Sequence, residues 1–251
     1  MTYIKKSQEE ANLLCSVVPG QWGTIGPHFL RANEEIAKHT TSEYALVTFS
    51  VTAALETILR GKNIGFGDTV IVADWCDPVD PMTVAAVGAT PVFAQTTPEK
   101  QLTPAALEEL VTPNTRAVIA DLPQNALELS AFCKEKGLYF ILNLGDAWGV
   151  QVDGNPIASY ADASFVDMSQ GCALDLGLAG AILTNSQEDF NLFYAYHNCG
   201  RSIGDGCTLS FDEIIGGDLR VAEFQSVLIP GQLLQLEEQI AKSNGKGVRQ
   251  K

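Results

Sequence analysis

The sequence predicts an α/β protein built on a mainly parallel sheet of about seven strands with helices on both faces. Three observations carry that prediction. Short β-rich runs alternate along the chain with amphipathic helical stretches. The runs are nearly all apolar instead of alternating, which requires both sheet faces to be covered. With 251 residues and 46% hydrophobic content, the chain can bury a sizeable core as one large domain.

The strands are predicted, in order, at 44–49 (YALVTF), 69–73, 90–95, 116–121, 139–144, 163–168 and 180–184. Between them lie TAALETILRGK, then TPAALEELV with Pro104 opening a helix after Thr103, then ALELSAFCKEKG closing at Gly137. Beyond Thr184 the pattern turns helical, first in QEDFNLFYAYHN and then in a long run from about Leu219 to Lys242. That run is predicted to bend or break at Pro230-Gly231. Residues 1–30 read as an N-terminal arm, 31–200 as the sheet core, 201–243 as a helical segment and 244–251 as a loose tail.

The formal charge of −14, from 30 acidic and 16 basic residues, has no basic run apart from the tail Lys242 to Lys251, which argues against nucleic acid as a partner. No apolar run approaches the roughly 20 residues of a membrane span, and the start MTYIKKSQEEANLL is too polar for a secretory signal. A cytoplasmic protein is expected. Six widely spaced cysteines and three histidines indicate neither a metal site nor a disulfide framework, so buried thiols are expected.

Several segments, in this order, make the chain resemble the DegT/DnrJ/StrS family of sugar aminotransferases. They are QWGTIGP, SVTAALETIL, GFGDTVIV, VGATPVF, LTPAALEELVTPNTRAVI, the Gly149/Gly154/Ala161-Asp162-Ala163 spacing, GLAGAILT, HNCG and LRVAEFQSVLIPGQLLQLEEQI. The resemblance implies the aspartate-aminotransferase-like large domain (fold type I of pyridoxal phosphate, PLP, enzymes). Family members carry a further C-terminal domain that closes over the active site, and the chain reads as lacking it. PLP chemistry needs a lysine for the Schiff base, a carboxylate at the pyridine nitrogen and small hydroxyl residues at a helix N-terminus for the phosphate.

Carried over residue by residue, the resemblance implies a degenerate site. The Schiff-base lysine falls on Cys172, and no lysine lies between Lys136 and Lys242. The pyridine carboxylate falls on Asn143 and the ring-side glutamine on Asp146. The phosphate serine falls on Asp167, so two carboxylates would oppose a phosphate. The S-G-T phosphate loop reads Ser50-Val51-Thr52, in which Thr52 is free to cap its helix. The stacking aromatic falls near Asp77, with Trp75 two residues earlier as a partial substitute. In the G-x-N-x-R stretch that reaches a partner subunit's phosphate, Gly216-Gly217-Asp218-Leu219-Arg220 keeps the arginine and loses the asparagine.

The blander roles are as follows. Cys172 reads as a packing thiol rather than a nucleophile. His197 reads as a hydrogen-bonded structural residue, and Asp74, Asp77 and Asp80 read as turn and cap residues. Trp22, Trp75 and Trp148 suit a ligand cavity or the core equally. The leading expectation is a catalytically inactive aminotransferase-like subunit, with no bound PLP, that pairs with an active PLP aminotransferase. A homo-oligomeric scaffold or small-molecule binding protein using the vacated pocket is the alternative. An enzyme with altered chemistry at Cys172, Asp146 and Asp167 stands third.

Overall fold

The computed structural model describes residues 8–17, 20, 23–203 and 214–242, with side chains to 238. Trp22, Cys207, the tail 244–251 and the first residues of the N-terminal arm lie outside the described residues. Two helices precede the sheet, α1 (Gln8–Val17) and α2 (Pro27–Thr40), so the predicted arm is helical in part and α2 begins within it. There follow β1 (Tyr44–Thr48), α3 (Val51–Gly61), β2 (Thr69–Ala73), α4 (Val79–Ala86), β3 (Thr90–Ala94), α5 (Pro104–Glu108), β4 (Thr115–Asp121), α6 (Ala126–Lys136) and β5 (Tyr139–Asn143). A two-residue hairpin, β6 (Gln151–Val152) and β7 (Asn155–Pro156), leads through a 3-10 turn (Ile157–Tyr160) to β8 (Ala163–Asp167) and β9 (Gly180–Thr184). The chain then forms α7 (Gln187–His197), α8 (Glu223–Ser226) and α9 (Ile229–Lys242).

The main sheet has seven strands in the order β1-β9-β8-β5-β4-β2-β3. The pairs β2–β3, β2–β4, β4–β5 and β5–β8 are parallel, whereas β9 runs antiparallel to both β8 and β1. The reversal follows from the connection: β8 and β9 are joined by a loop, Met168 to Ala179, and a parallel return would need a crossover helix. Successive residues of the inner strands are buried alike, as in Val118-Ile119-Ala120 and Phe140-Ile141-Leu142. Since neighbours along a strand face opposite sides, both faces are covered. The sheet strands match the expected positions to within a residue at either end, because long apolar runs leave little freedom in where burial starts.

The C-terminal helical run departs from expectation in two ways. Residues 219–222 are extended, bridging Thr48 through Arg220 and Thr24 through Ala222. The break falls at Val227-Leu228, three residues before the predicted Pro230-Gly231, so Pro230 sits in the first turn of α9, where its missing N–H leaves no bond unmade. Glu223 anchors this region. Its buried carboxylate accepts from Gly26 N–H (2.9 Å), His28 N–H (3.1 Å) and Phe29 N–H (2.9 Å), capping α2 where Gly26 has no side chain to do so.

Candidate functional site

In parallel α/β sheets ligands bind beyond the carboxyl ends of the strands. Here those ends carry Asp74 to Asp77 after β2, Asp121 at the end of β4, Asn143 at the end of β5 and Asp167 at the end of β8. Register sets Asp121 beside Asn143, and Asn143 beside Phe165, two residues before Asp167. A cleft of about 440 Å³ opens at this edge, lined among others by Trp75, Cys76, Asp77, Lys100, Asp121 and Asn143.

The floor of the cleft is polar and tightly bonded. Asn143 is buried; its Nδ2 donates to Asp80 Oδ1 at 2.9 Å and its Oδ1 accepts from Gly145 N–H at 2.9 Å. Asp80, on α4, is fully buried, and its other oxygen meets no hydrogen-bond partner. Burial, reinforced by the charge of Asp121, pushes the Asp80 carboxyl well above the usual carboxylate range. The same surroundings act on Cys76: burial first, then Asp80, Asp121, Asp77 and Asp74, push its thiol up to about 12. A thiol so placed is no nucleophile at neutral pH.

The rim is open. Trp75 is 63% exposed, and the Nζ of Lys100 lies over its ring, 3.8 Å from the centroid. Asp77 Oδ1 accepts from Val79 N–H (3.0 Å) at the start of α4, and Asp74 Oδ1 accepts from Thr96 N–H (3.0 Å) and Thr96 Oγ1 (2.7 Å), joining the ends of β2 and β3. The turn and cap roles expected of Asp74 and Asp77 hold. Asp80 does not share them, because α4 carries it inward beneath the sheet edge to Asn143.

The other predicted positions lie along the same edge but outside the lining of this cleft. Ser50, not Thr52, caps α3: its Oγ accepts from Ala53 N–H at 3.0 Å. Thr48 Oγ1 donates to the Ser50 carbonyl at 2.8 Å. The α3 N-terminus is pressed against β9 so closely that a β-carbon at Gly180 would lie 2.8 Å from Ser50 O and from Val51 N and Cα. Asp146 is buried, and Asp167 Oδ1 accepts from Ser169 N–H at 2.9 Å. Cys172 is fully buried in the loop between β8 and β9, as a packing thiol should be. That loop is organised by Asp175, whose Oδ1 and Oδ2 accept from Gly177 N–H (3.1 Å) and Gly171 N–H (3.3 Å). Gln232 of α9 clamps it, accepting from Asp175 N–H (2.8 Å) and donating to Asp175 O (3.0 Å) and Glu10 Oε1 (3.0 Å).

The remaining expectations meet different outcomes, and that of buried thiols is corrected. Arg220 is held in its own chain, donating through Nε to Asp218 Oδ1 at 2.6 Å. His197 is a buried structural residue, stacked on Phe29 (centroids 5.7 Å, planes 12° apart), with the backbone of Tyr194 and Val47 beside its imidazole. Trp148 is a core residue, edge-on to His39, whereas Trp75 lines the cleft. Of the five described cysteines only Cys133 and Cys172 are buried, Cys76 and Cys199 being half-buried and Cys15 exposed. Among the described residues no group of three or more His, Cys, Asp or Glu is placed to hold a metal ion, and no helix is long and apolar enough to cross a membrane.

Thus Trp75, Asp77 and Asn143 meet in one cleft; the sequence reading missed Asp121 and Lys100 there, and gave Asp80, which holds Asn143 from behind, a turn or cap role instead. The position of Asp121 at the end of an apolar run was the available signal for that residue. Nothing local marked Lys100, which a turn at 97–101 brings across from β3.

Comparison with known proteins agrees with this architecture. The model of the DegT/DnrJ/EryC1/StrS aminotransferase family matches residues 5–246. An L-glutamine:2-deoxy-scyllo-inosose aminotransferase of Streptomyces paromomycinus is 29% identical over 238 residues, 88% of this chain and 56% of that protein. A 3-amino-5-hydroxybenzoate synthase of Amycolatopsis mediterranei is 26% identical over 241 residues, 93% of this chain and 62% of that protein. The chain therefore spans only part of the length of these relatives. Among solved structures, 3-amino-5-hydroxybenzoic acid synthase superposes with a TM-score of 0.88 at 24% identity, covering 97% of this chain and 65% of that one. S. venezuelae DesV, solved with a ketimine intermediate, gives 0.83 at 25% identity, covering 92% and 62%.

Proposed function

We infer the function from one premise: the chain belongs to the DegT/DnrJ/EryC1/StrS aminotransferase family. Within that family it is a catalytically silent member that does not hold PLP as a Schiff base and serves as a supporting subunit to an active aminotransferase. The relatives named above suggest a partner that aminates an aminocyclitol or sugar precursor.

The state of Asn143 carries this reading. At the position that the family resemblance gives to the pyridine carboxylate stands a neutral amide engaged on both sides, by Asp80 and by Gly145 N–H. No anion is left there to keep a pyridine nitrogen protonated, so the electron sink has lost its counter-charge. At the position that the resemblance gives to the Schiff-base lysine, Cys172 is a buried thiol where an imine needs an amine, and Asp77, Glu99 and Asp121 line a cleft that a phosphate would have to share. These residues do not fit PLP, and we derive no catalytic step through it.

Reduction with borohydride after incubation with PLP, followed by peptide mass mapping, tests the reading. Only substoichiometric labelling scattered over exposed lysines is expected. A single stoichiometric adduct overturns it, above all one on Lys100, the ammonium that does stand in the cleft.

The open cleft and the exposed face of Trp75 favour a second reading, a small-molecule binding protein on the inherited fold.

A further inference from the structure

We propose that a small cavity between the end of α2 and the segment after β5 binds a short neutral alcohol, whose hydroxyl is shared by Trp148 and His39. The cavity measures about 80 Å³. A space of ~10–15 Å³ suffices for one water and one of ~150 Å³ takes up benzene, so this one suits a molecule of about three or four heavy atoms. It has no lining residue in common with the cleft at the carboxyl edge, and the proposal stands whether or not that cleft accommodates PLP.

Two unpaired nitrogens point to the ligand. Trp148 is 1% exposed, the His39 side chain is 7% exposed, and both line the cavity. Among the described residues neither Trp148 Nε1 nor His39 Nε2 has a hydrogen-bond partner, and they do not bond each other. Their rings meet edge to face with centroids 5.9 Å apart, which keeps the two nitrogens on neighbouring walls. Glu237 settles the tautomer: its Oε1 lies 3.4 Å from His39 Nδ1, and a carboxylate only accepts. Nδ1 therefore carries the hydrogen, and Nε2 of the neutral ring keeps a lone pair. The cavity thus presents one donor and one acceptor, and leaving either buried without a partner is costly. A hydroxyl answers both, accepting from the indole N–H and donating to the imidazole. Leu144, Ile157, Val166 and Leu183 make the other walls apolar, and among the described residues no Asp, Glu, Lys or Arg lines the space, so the ligand is neutral. Thr41, Gly149 and Gln151 are exposed and give the cavity its mouth. Its wall is set beforehand by Ile157 N–H to Val150 O (3.1 Å) and Ala147 N–H to Leu144 O (2.9 Å).

Titration of the isotope-labelled chain with isopropanol, followed by NMR at the indole N–H resonance assigned to Trp148, tests it. Isopropanol is expected to move that resonance saturably, at about millimolar strength for so few contacting atoms. Acetone keeps the shape and the accepting oxygen but has no proton for Nε2, and should bind about fivefold more weakly; His39→Leu should weaken isopropanol by the same factor. Ala158→Leu, which adds bulk from a half-buried position in the lining, should abolish the response, and cyclohexanol, too large for the space, should give none. A Trp148 resonance that stays put throughout, as a cavity holding water alone would leave it, overturns the proposal. So does a drift of all indole resonances without saturation, a response to acetone or cyclohexanol as strong as to isopropanol, or an affinity unchanged in His39→Leu. Should His39→Leu fail to fold, the acetone comparison on the native chain still tests the Nε2 contact.

Discussion

Asp80 and His197 are both buried titratable groups, and they act on stability in opposite directions. Burial and the charge of Asp121 raise the Asp80 carboxyl above its ordinary 3.8, so the folded state holds this proton more tightly than the unfolded chain does. Between the two values the folded state binds more protons, and stability falls as pH rises through that window. Asp80→Asn keeps an oxygen for Asn143 and removes the buried charge. It should raise stability at pH 7.5 by about 1–2 kcal/mol, with the gain shrinking as pH is lowered toward 3.8. Calorimetric melting at several pH values measures this, and an equal gain at every pH would refute the charge argument. Burial first, and then the charge of Arg220, lower His197 from 6.5 to about 3. The unfolded chain takes up its proton first, so His197 contributes stability that is complete above 6.5 and is lost as pH falls toward 3.

At the scale of elements, one carboxylate joins distant parts of the chain. Glu223, at the head of α8, satisfies three N–H groups of the α2 N-terminus nearly 200 positions away in sequence. Glu223→Ala strands those donors and removes an anion from a helix N-terminus; a loss of about 3 kcal/mol is expected in urea unfolding, with Glu223→Gln recovering part of it. Pro230→Ala, by contrast, should shift stability by less than about 1 kcal/mol, because a proline in the first helical turn displaces no hydrogen bond. The contrast checks where the helical run truly breaks. Had α8 and α9 been one helix kinked at Pro230, the same substitution would stabilise it markedly.

For the whole molecule, the fold and the family stand together. A sheet that superposes on 3-amino-5-hydroxybenzoic acid synthase and on DesV carries at its carboxyl ends an amide, a buried thiol and several carboxylates. On the proposed function, Cys172→Lys alone should yield no transaminase turnover, since Asn143 still supplies no anion. Measurable turnover in a coupled amination assay would show that the pocket tolerates PLP after all. Co-expression with a full-length family aminotransferase, read by native mass spectrometry, should give a heteromer. With Arg220 bonded to its own Asp218, Arg220→Ala should leave that partner's activity within about twofold.

The sequence by itself determined the class of the sheet, the place of its seven strands, the family, and which residue types stand at the site. Apolar runs of strand length and a collinear set of short motifs are local properties, and burial on both faces leaves them one arrangement. The tertiary structure alone decided which of those residues meet. Asp80 reaches Asn143 only because α4 carries it under the edge, Lys100 reaches Trp75 only through the turn after β3, and Arg220 is turned onto Asp218 by its bridge to β1. Each is a contact whose energy depends on elements packed from elsewhere in the chain, and so leaves no local trace in the order of residues.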